Sequence, residues 1–338
     1  MRNGILVGGN WIVDQVKLID VFPEEEKLVN IFSESSCNGG SAYNVITDLA
    51  KLQANFPLSG VGLVGDDERG DQIIQHCQSV GINTEQIRKT KESYTSYTDV
   101  MSVKETGRRT FFHQRGANAL LDIPDFNFSI SRDKIFHLGY LLLLDKLDVI
   151  EDDGTTRASK VLKSAKQHGL ITSVDIVSER SDRFKDVIPS SLPYIDYLFV
   201  NEYEAGMITG IKTINDNGSI ILKSCYDAAL KLLALGVNKW VILHFPEGVI
   251  AISKSGESHR QPSLLVPADK VAGASGAGDA FAAGVLMGIH NDKDMSYCLE
   301  LGVGAAASSL FESTSSDGVL PSEECLKLAA LYGYREAI

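Results

Sequence analysis

Apolar positions along the chain fall into short runs and alternations. A run at 5–7 (Ile5, Leu6, Val7) stops at Gly8-Gly9 and predicts a buried strand ending in a turn. Residues 14–35 alternate around Pro23-Glu-Glu-Glu26, with Val16 and Leu18 before it and Ile31 and Phe32 after it, and predict a hairpin. Ala42, Val45, Ile46, Leu49 and Leu52 share one helical face, with Ser41 in position to cap that helix. A strand at 58–64 and a helix at 68–80, stopped by Gly81, follow. Tyr94, Tyr97, Val100 and Val103, then Thr110 to Phe112, flank Lys104-Glu-Thr-Gly107 and predict a second hairpin within 93–115.

Beyond residue 130 strands and helices alternate strictly. Strands fit at 134–139, 170–175, 195–200 and 239–244, and helices at 155–168 and 219–235. Helices at 278–290, 296–311 and 322–334 close the chain. Such repetition predicts an α/β fold, a doubly wound and mostly parallel sheet covered on both faces. The two early hairpins stand outside the repeat and suggest a small lid or a dimer clasp. With 338 residues, no long linker and no internal repeat, 1–338 reads as one α/β domain, with lid segments 11–38 and 93–118 inserted in it.

Composition narrows the function classes. The net charge of −12 disfavours nucleic acid and anionic membrane surfaces as partners. Five scattered cysteines without CxxC spacing read as free thiols of a reducing compartment, and with no signal-peptide core the expected location is cytoplasmic. The sequons at Asn127 and Asn217 are then accidental. The longest apolar stretch, Tyr140 to Leu144, is too short to cross a bilayer. His113, His137 and His168 are isolated and show no metal spacing.

The richest chemistry lies in Gly273-Ala-Ser-Gly-Ala-Gly-Asp279, directly before an apolar helix. Small residues let backbone N–H groups approach an anion, and the helix N-terminus adds partial positive charge. Asp279 falls in the first turn, ionised and placed where a general base for phosphoryl transfer belongs. A plain small-residue turn with a dipole-serving Asp is the competing reading. Gly60-Val-Gly-Leu-Val-Gly65, with Glu85 beyond it, matches a dinucleotide fingerprint, but its glycines sit within the strand, so an oxidoreductase is disfavoured. No Walker motif is present.

Four motifs in order add specificity. Gly276-Ala-Gly-Asp-Ala-Phe281 resembles the C-terminal signature of the ribokinase-like (PfkB) carbohydrate kinases. Gly39-Gly-Ser-Ala-Tyr-Asn44 with Gly65-Asp-Asp-Glu-Arg-Gly70 is similar to their N-terminal signature, Asn201-Glu-Tyr-Glu204 to their Asn-x-x-Glu motif, and Gly8-Gly-Asn10 with Asp14 to their first strand. The resemblance implies an ATP-dependent sugar kinase that moves the γ-phosphoryl group to a primary hydroxyl. It implies Asp279 as base and Gly276, Ala277 and Gly278 as the anion hole. Asp14, Gly39, Gly40, Asn44 and Asn118 would hold substrate hydroxyls, and Asn201 and Glu204 would act on Mg²⁺ through water. It also implies a homodimer through a lid that closes on substrate, and offers Arg115 for an acidic group on the substrate.

Two departures bear on the cofactors. The family has Asp-Thr where this chain has Gly273-Ala274, and that Asp helps hold a monovalent cation in relatives, so the change argues against a K⁺ requirement. His244 and Pro246 replace a nucleotide-binding turn, which implies that ATP is held differently or more weakly. A nucleoside kinase, with Trp11 or Tyr43 as the wall for a base, and a catalytically silent sugar- or nucleotide-binding member are the alternatives.

Overall fold

Residues 2–336 are described in the structure, a computed structural model. The large sheet holds β1 (Ile5–Gly9), β4 (Leu58–Gly65), β5 (Asn83–Thr90), β8 (Ile135–Leu141), β9 (Ile171–Ile176), β10 (Tyr197–Asn201), β11 (Trp240–Phe245), β12 (Gly248–Ser253) and β13 (Ser258–Pro262). Its order is β13-β12-β11-β10-β9-β8-β1-β4-β5. All pairings are parallel except those of β12 and β13, which fold back antiparallel. The chain winds outward from β1 through β4 to β5, then resumes on the other side of β1 with β8. The predicted doubly wound α/β architecture is therefore the observed one.

The inner strands are apolar on both sides because helices cover both, while the edge strands β5 and β13 are mostly polar. One layer is α1 (Ser41–Lys51), α2 (Glu68–Ser79), α7 (Ala277–His290), α8 (Met295–Ser309) and α9 (Ser322–Tyr332). The other is α3 (Arg157–Gln167), α4 (Phe184–Val187), α5 (Glu202–Thr209) and α6 (Leu222–Leu235). Burial of the two apolar faces against the sheet is the main stabilising term, since apolar area leaves water on both sides.

The two predicted hairpins, β2 (Ile12–Ile19) with β3 (Ile31–Gly39) and β6 (Ser96–Val103) with β7 (Arg109–Gln114), join into one separate sheet in the order β3-β2-β6-β7. The join is parallel, β2 to β6, and sets Asp14 opposite Thr98.

Two local expectations change. Ser41 does not cap α1: the cap position is Gly40, no side chain closes it, and the Ser41 hydroxyl instead lies 3.3 Å from His137 Nε2. The Gly60-x-Gly62 pair serves packing. A Cβ at either position would run into the buried Trp11 ring, whose Nε1 donates to the Val61 carbonyl at 3.0 Å.

Candidate active site

In an open α/β sheet the crevice forms beyond the carboxyl ends of the strands, where the winding direction reverses. That rule holds here. A cleft of about 630 Å³ lies over the ends of β8, β9, β10 and β11. Into it the fold brings Asp14 from β2, Gly40 and Asn44 from the start of α1, Tyr140, Asp175, Asn201 and His244 from strand ends, Glu204 from the start of α5, and Gly276 to Asp279 from the start of α7.

The N-terminus of α7 is built without a side-chain cap. Gly276 takes the cap position at φ 77°, and the first intrahelical bond runs from Ala280 N–H to its carbonyl at 2.8 Å. The N–H groups of the first turn have no acceptor within the helix. Gly276, Ala277 and Gly278 line the cleft there, so this helix end offers the unpaired donors and dipole that can receive an anion.

Asp279 is buried at the floor. Asn44 Nδ2 donates to its Oδ2 at 2.8 Å, and the Tyr140 hydroxyl reaches both oxygens at 2.8 and 2.7 Å. Burial raises its pKa to about 6, against the lowering effect of those two donors. The group is mostly ionised at pH 7 and basic enough to take a hydroxyl proton. Asn44 is itself held by Asn38, whose Nδ2 donates to Asn44 Oδ1 at 2.6 Å.

Asp14 fills the space left by the missing side chain of Gly39. Burial is the main cause that raises it to about 7, with the Thr98 hydrogen bond opposing and the Asp279 charge adding. Asn201 and Glu204 form a capping box at the start of α5: Glu204 N–H donates to Asn201 Oδ1, and Asn201 N–H to Glu204 Oε2, each at 2.9 Å. The box presents Glu204 Oε1 to the Ser178 hydroxyl at 2.7 Å, and burial raises this carboxyl to about 7. Asp175, between Asp279 and Glu204, is pushed well above the carboxylate range by burial, then by those two neighbours. Among the described residues no cluster of His, Cys, Asp and Glu forms a ready metal cage.

These shifts have a consequence for stability. Asp14, Glu204 and Asp279 bind protons more readily folded than unfolded, where carboxyl pKa values lie near 4. Their contribution is complete below about pH 4 and is lost as pH rises through about 6 to 7. Burial lowers His113, His137 and His244, which oppose this trend below about pH 6.5, so the carboxyl contribution is read as a difference between chains: the Tm of Asp14→Asn is expected to exceed the native Tm by more at pH 8 than at pH 5. A Tm difference that stays constant across that interval contradicts the assigned burial.

Most residues named from the sequence meet in this cleft: Asp14, Gly40, Asn44, Asn201, Glu204, Gly276, Ala277, Gly278 and Asp279, with Gly39 behind Asp14. Asn118 does not. It is buried, and both ends of its amide bind the backbone of Trp11, Oδ1 accepting from N–H and Nδ2 donating to the carbonyl at 3.2 Å each. Trp11 is core, and the Tyr43 hydroxyl bonds His76 Nδ1 at 2.9 Å, so neither forms a wall of the cleft. Arg115 pairs with Asp145 at 3.1 Å and Glu179 at 3.9 Å. Among the cleft residues that sequence reasoning missed, Tyr140 and Asp175 stand beside Asp279; their signal was position, at the carboxyl ends of β8 and β9. His244 also lines the cleft, beside Gly278, and burial lowers it to about 4, so it is neutral. The following turn, Pro246-Glu247, is a tight hairpin between β11 and β12.

The doubly wound sheet, the separate β sheet and the uncapped start of α7 with its buried carboxylate meet at this one cleft. The family model described as pfkB family carbohydrate kinase matches residues 9–322, and the chain belongs to that family. It is a phosphotransferase with an alcohol group as acceptor, a sugar kinase of the PfkB type. The ribokinase of Schizosaccharomyces pombe is 28% identical over 314 residues, covering 90% of each chain. The 5-dehydro-2-deoxygluconokinase of Clostridium perfringens is 27% identical over 297 residues, 86% of this chain and 82% of its own. The ribokinase of Arabidopsis thaliana, solved with ribose and ATP, superposes with a TM-score of 0.77 over 97% of this chain and 99% of its own, at 22% identity. No helix among the described residues is long and apolar enough to cross a membrane.

Proposed function

We propose that the protein transfers the γ-phosphoryl group of ATP to a primary hydroxyl of a sugar or sugar-like substrate, with Asp279 as general base. The observation that carries this reading is the pairing of one buried carboxylate with an uncapped helix N-terminus in the same turn. The sugar hydroxyl lies against Asp279, which takes its proton as the oxygen attacks phosphorus. Negative charge growing on the transferring group meets the N–H groups of Gly276, Ala277 and Gly278. Asp14, Gly40 and Asn44 hold the remaining hydroxyls. Such a set of carboxylate, amide and backbone groups suits a polyol, which needs several donors and acceptors at once.

Among the described residues no lysine or arginine pairs with Glu204 or Asp175, which face the cleft and are both raised by burial. That donor set fits a hard cation brought with the nucleotide, held by Asn201 and Glu204 through water. A Mg²⁺ held by those residues would supply positive charge to the phosphates. The loss of a carboxylate at Gly273 argues against a monovalent cation. His244 and the Pro246 turn give the nucleotide side of the cleft a shape of its own.

A nucleoside acceptor is the second reading. Phe111, on the rim of the cleft, supplies an aromatic face for a base. Competition between ribose and adenosine for binding separates the two, and displacement of adenosine by ribose favours the sugar.

Residues 11–38 and 93–118 act as a lid that closes over the sugar and excludes water. Their sheet exposes Ile31, Phe32 and Phe112, and the β2–β3 connection exposes Phe22 and Leu28, with Phe22 stacked on Phe112 at 6.3 Å between centroids. Exposed apolar area of this kind marks a contact surface, here between two lids of a homodimer. Sedimentation is expected to give a dimer for the native chain and a monomer for Phe32→Asp. A native monomer at tens of micromolar contradicts the clasp.

A further inference from the structure

β7 is an edge strand of the small sheet and is exposed along most of its length. Side chains alternate across a strand, so Arg109, Phe111 and His113 share one face. Phe111 and His113 line the cleft. Such a strand stays over the cleft only if something ties it to the body. At one end the tie is Arg115, the residue after β7, which reaches the Leu142 carbonyl at 3.5 Å and Asp145 at 3.1 Å. At the other end it is Arg109, whose Nη2 donates to the Ser313 carbonyl at 2.9 Å, 204 residues along the chain.

The Arg109 guanidinium lies against Gly273. A Cβ at Gly273 would overlap its Nη2 and stand 3.2 Å from its Cζ. Nothing in the backbone of Gly273 calls for glycine, since its φ is not in the left-handed region. The missing side chain gives room to an arginine from another sheet. Both walls of that slot lead to the site. Ala272 N–H donates to the Leu310 carbonyl at 2.8 Å, which pins the segment before α7 to the end of α8. The Ser315 carbonyl fills the space beside Gly276, and the Ser275 and Ser315 hydroxyls lie 3.4 Å apart. Arg109 therefore holds the joint between the two segments that meet at the start of α7. Its guanidinium is half-buried, where a charge-assisted hydrogen bond is stronger than in open water.

We propose that Arg109 is a positioning residue: seated in the room left by Gly273 and bonded to the Ser313 carbonyl, it latches β7 over the cleft against the segments that meet at the start of α7. The importance of the latch for turnover rests on the reading of the small sheet as a lid over the sugar. It also gives Gly273 a reason that its backbone does not.

The test is a double-mutant cycle of Arg109→Ala and Gly273→Ala. The new methyl at residue 273 meets chiefly the mobile end of Arg109, with Ser313 Cα next at 3.3 Å, so this chain is expected to fold with the arginine displaced. The first readout needs no ligand: the rate at which trypsin cuts after Lys104, in the β6–β7 turn, a site that neither substitution alters. Each single variant is expected to be cut about tenfold faster than the native chain, the population change made by one hydrogen bond from a charged group. The double variant is expected to be cut no faster than either, because both changes remove one contact. The second readout is turnover with the sugar that best raises ADP release, at saturating ATP. The sugar KM is expected to rise about tenfold in all three variants with kcat within about threefold of native, since the lost contact holds the cover and not the reacting atoms. Native cleavage rates in both single variants overturn the proposal. So does faster cleavage in Arg109→Ala alone, or a double variant whose effect is the product of the single ones. Faster cleavage with an unmoved sugar KM upholds the latch and removes only the reading of the sheet as a lid over the sugar.

Discussion

Asp279→Asn is expected to lower kcat by roughly 10²–10⁴, the usual contribution of general-base catalysis, while the sugar still binds. Asparagine keeps the size of the side chain and an acceptor for Asn44 and Tyr140, but it takes no proton. The fold should tolerate the change well. The native carboxyl is buried and raised to about 6, so its charged form works against folding at neutral pH. Tm is therefore expected to hold or rise while kcat collapses, a split that a merely structural residue does not produce. The native kcat is expected to fall as pH drops through about 6, because protonation removes the acceptor for the substrate proton. Initial rates of ADP release from pH 5 to 8, with calorimetric sugar binding for both chains, check both statements.

Gly276→Val carries the second large effect. Gly276 sits at φ 77°, a left-handed conformation that costs an L-residue, and a β-branched one most of all. A Cβ there would also overlap the Ser315 carbonyl oxygen. The first turn of α7 must shift, and the N–H groups lose their common aim. Loss of one such donor lowers kcat by roughly 10²–10³, so at least that much is expected, together with a lower Tm. Gly81→Ala is the control. Gly81 has φ 81° but faces open space, far in the chain from any cleft residue. It is expected to lower Tm slightly and leave kcat alone. Equal kcat losses in the two variants would show that backbone strain, not the anion site, sets the rate.

The body of the fold is legible in the sequence because its strands are buried on both faces. Ile135–Leu141 and Trp240–Phe245 read as apolar runs, and glycines stop the helices between them. β5 is not legible, because Asn83–Thr90 is an edge strand with one buried apolar residue, Ile87, among polar ones. β12 is apolar enough, but it follows a two-residue turn at Pro246-Glu247 that reads as the end of a strand. The site divides along a similar line. Gly276, Gly39 and the Asn201–Glu204 pair are visible because backbone geometry restricts what can stand there. Tyr140 and Asp175 are single polar residues at strand ends, and the groups they face, Asp279 and Glu204, lie far away along the chain. Asn118 shows the converse: it reads as a ligand for a sugar, yet its amide is used up on the backbone of Trp11.

The central claim is phosphoryl transfer to a sugar hydroxyl through Asp279. Its most direct test is ADP release with Mg·ATP across a panel of aldoses, ketoses, sugar acids and nucleosides, run on the native and Asp279→Asn chains. At least one sugar is expected to raise ADP release well above the sugar-free rate in the native chain, and the same sugar to bind the substituted chain without turnover. Sugar binding without ADP release by the native chain, or undiminished release by Asp279→Asn, contradicts it.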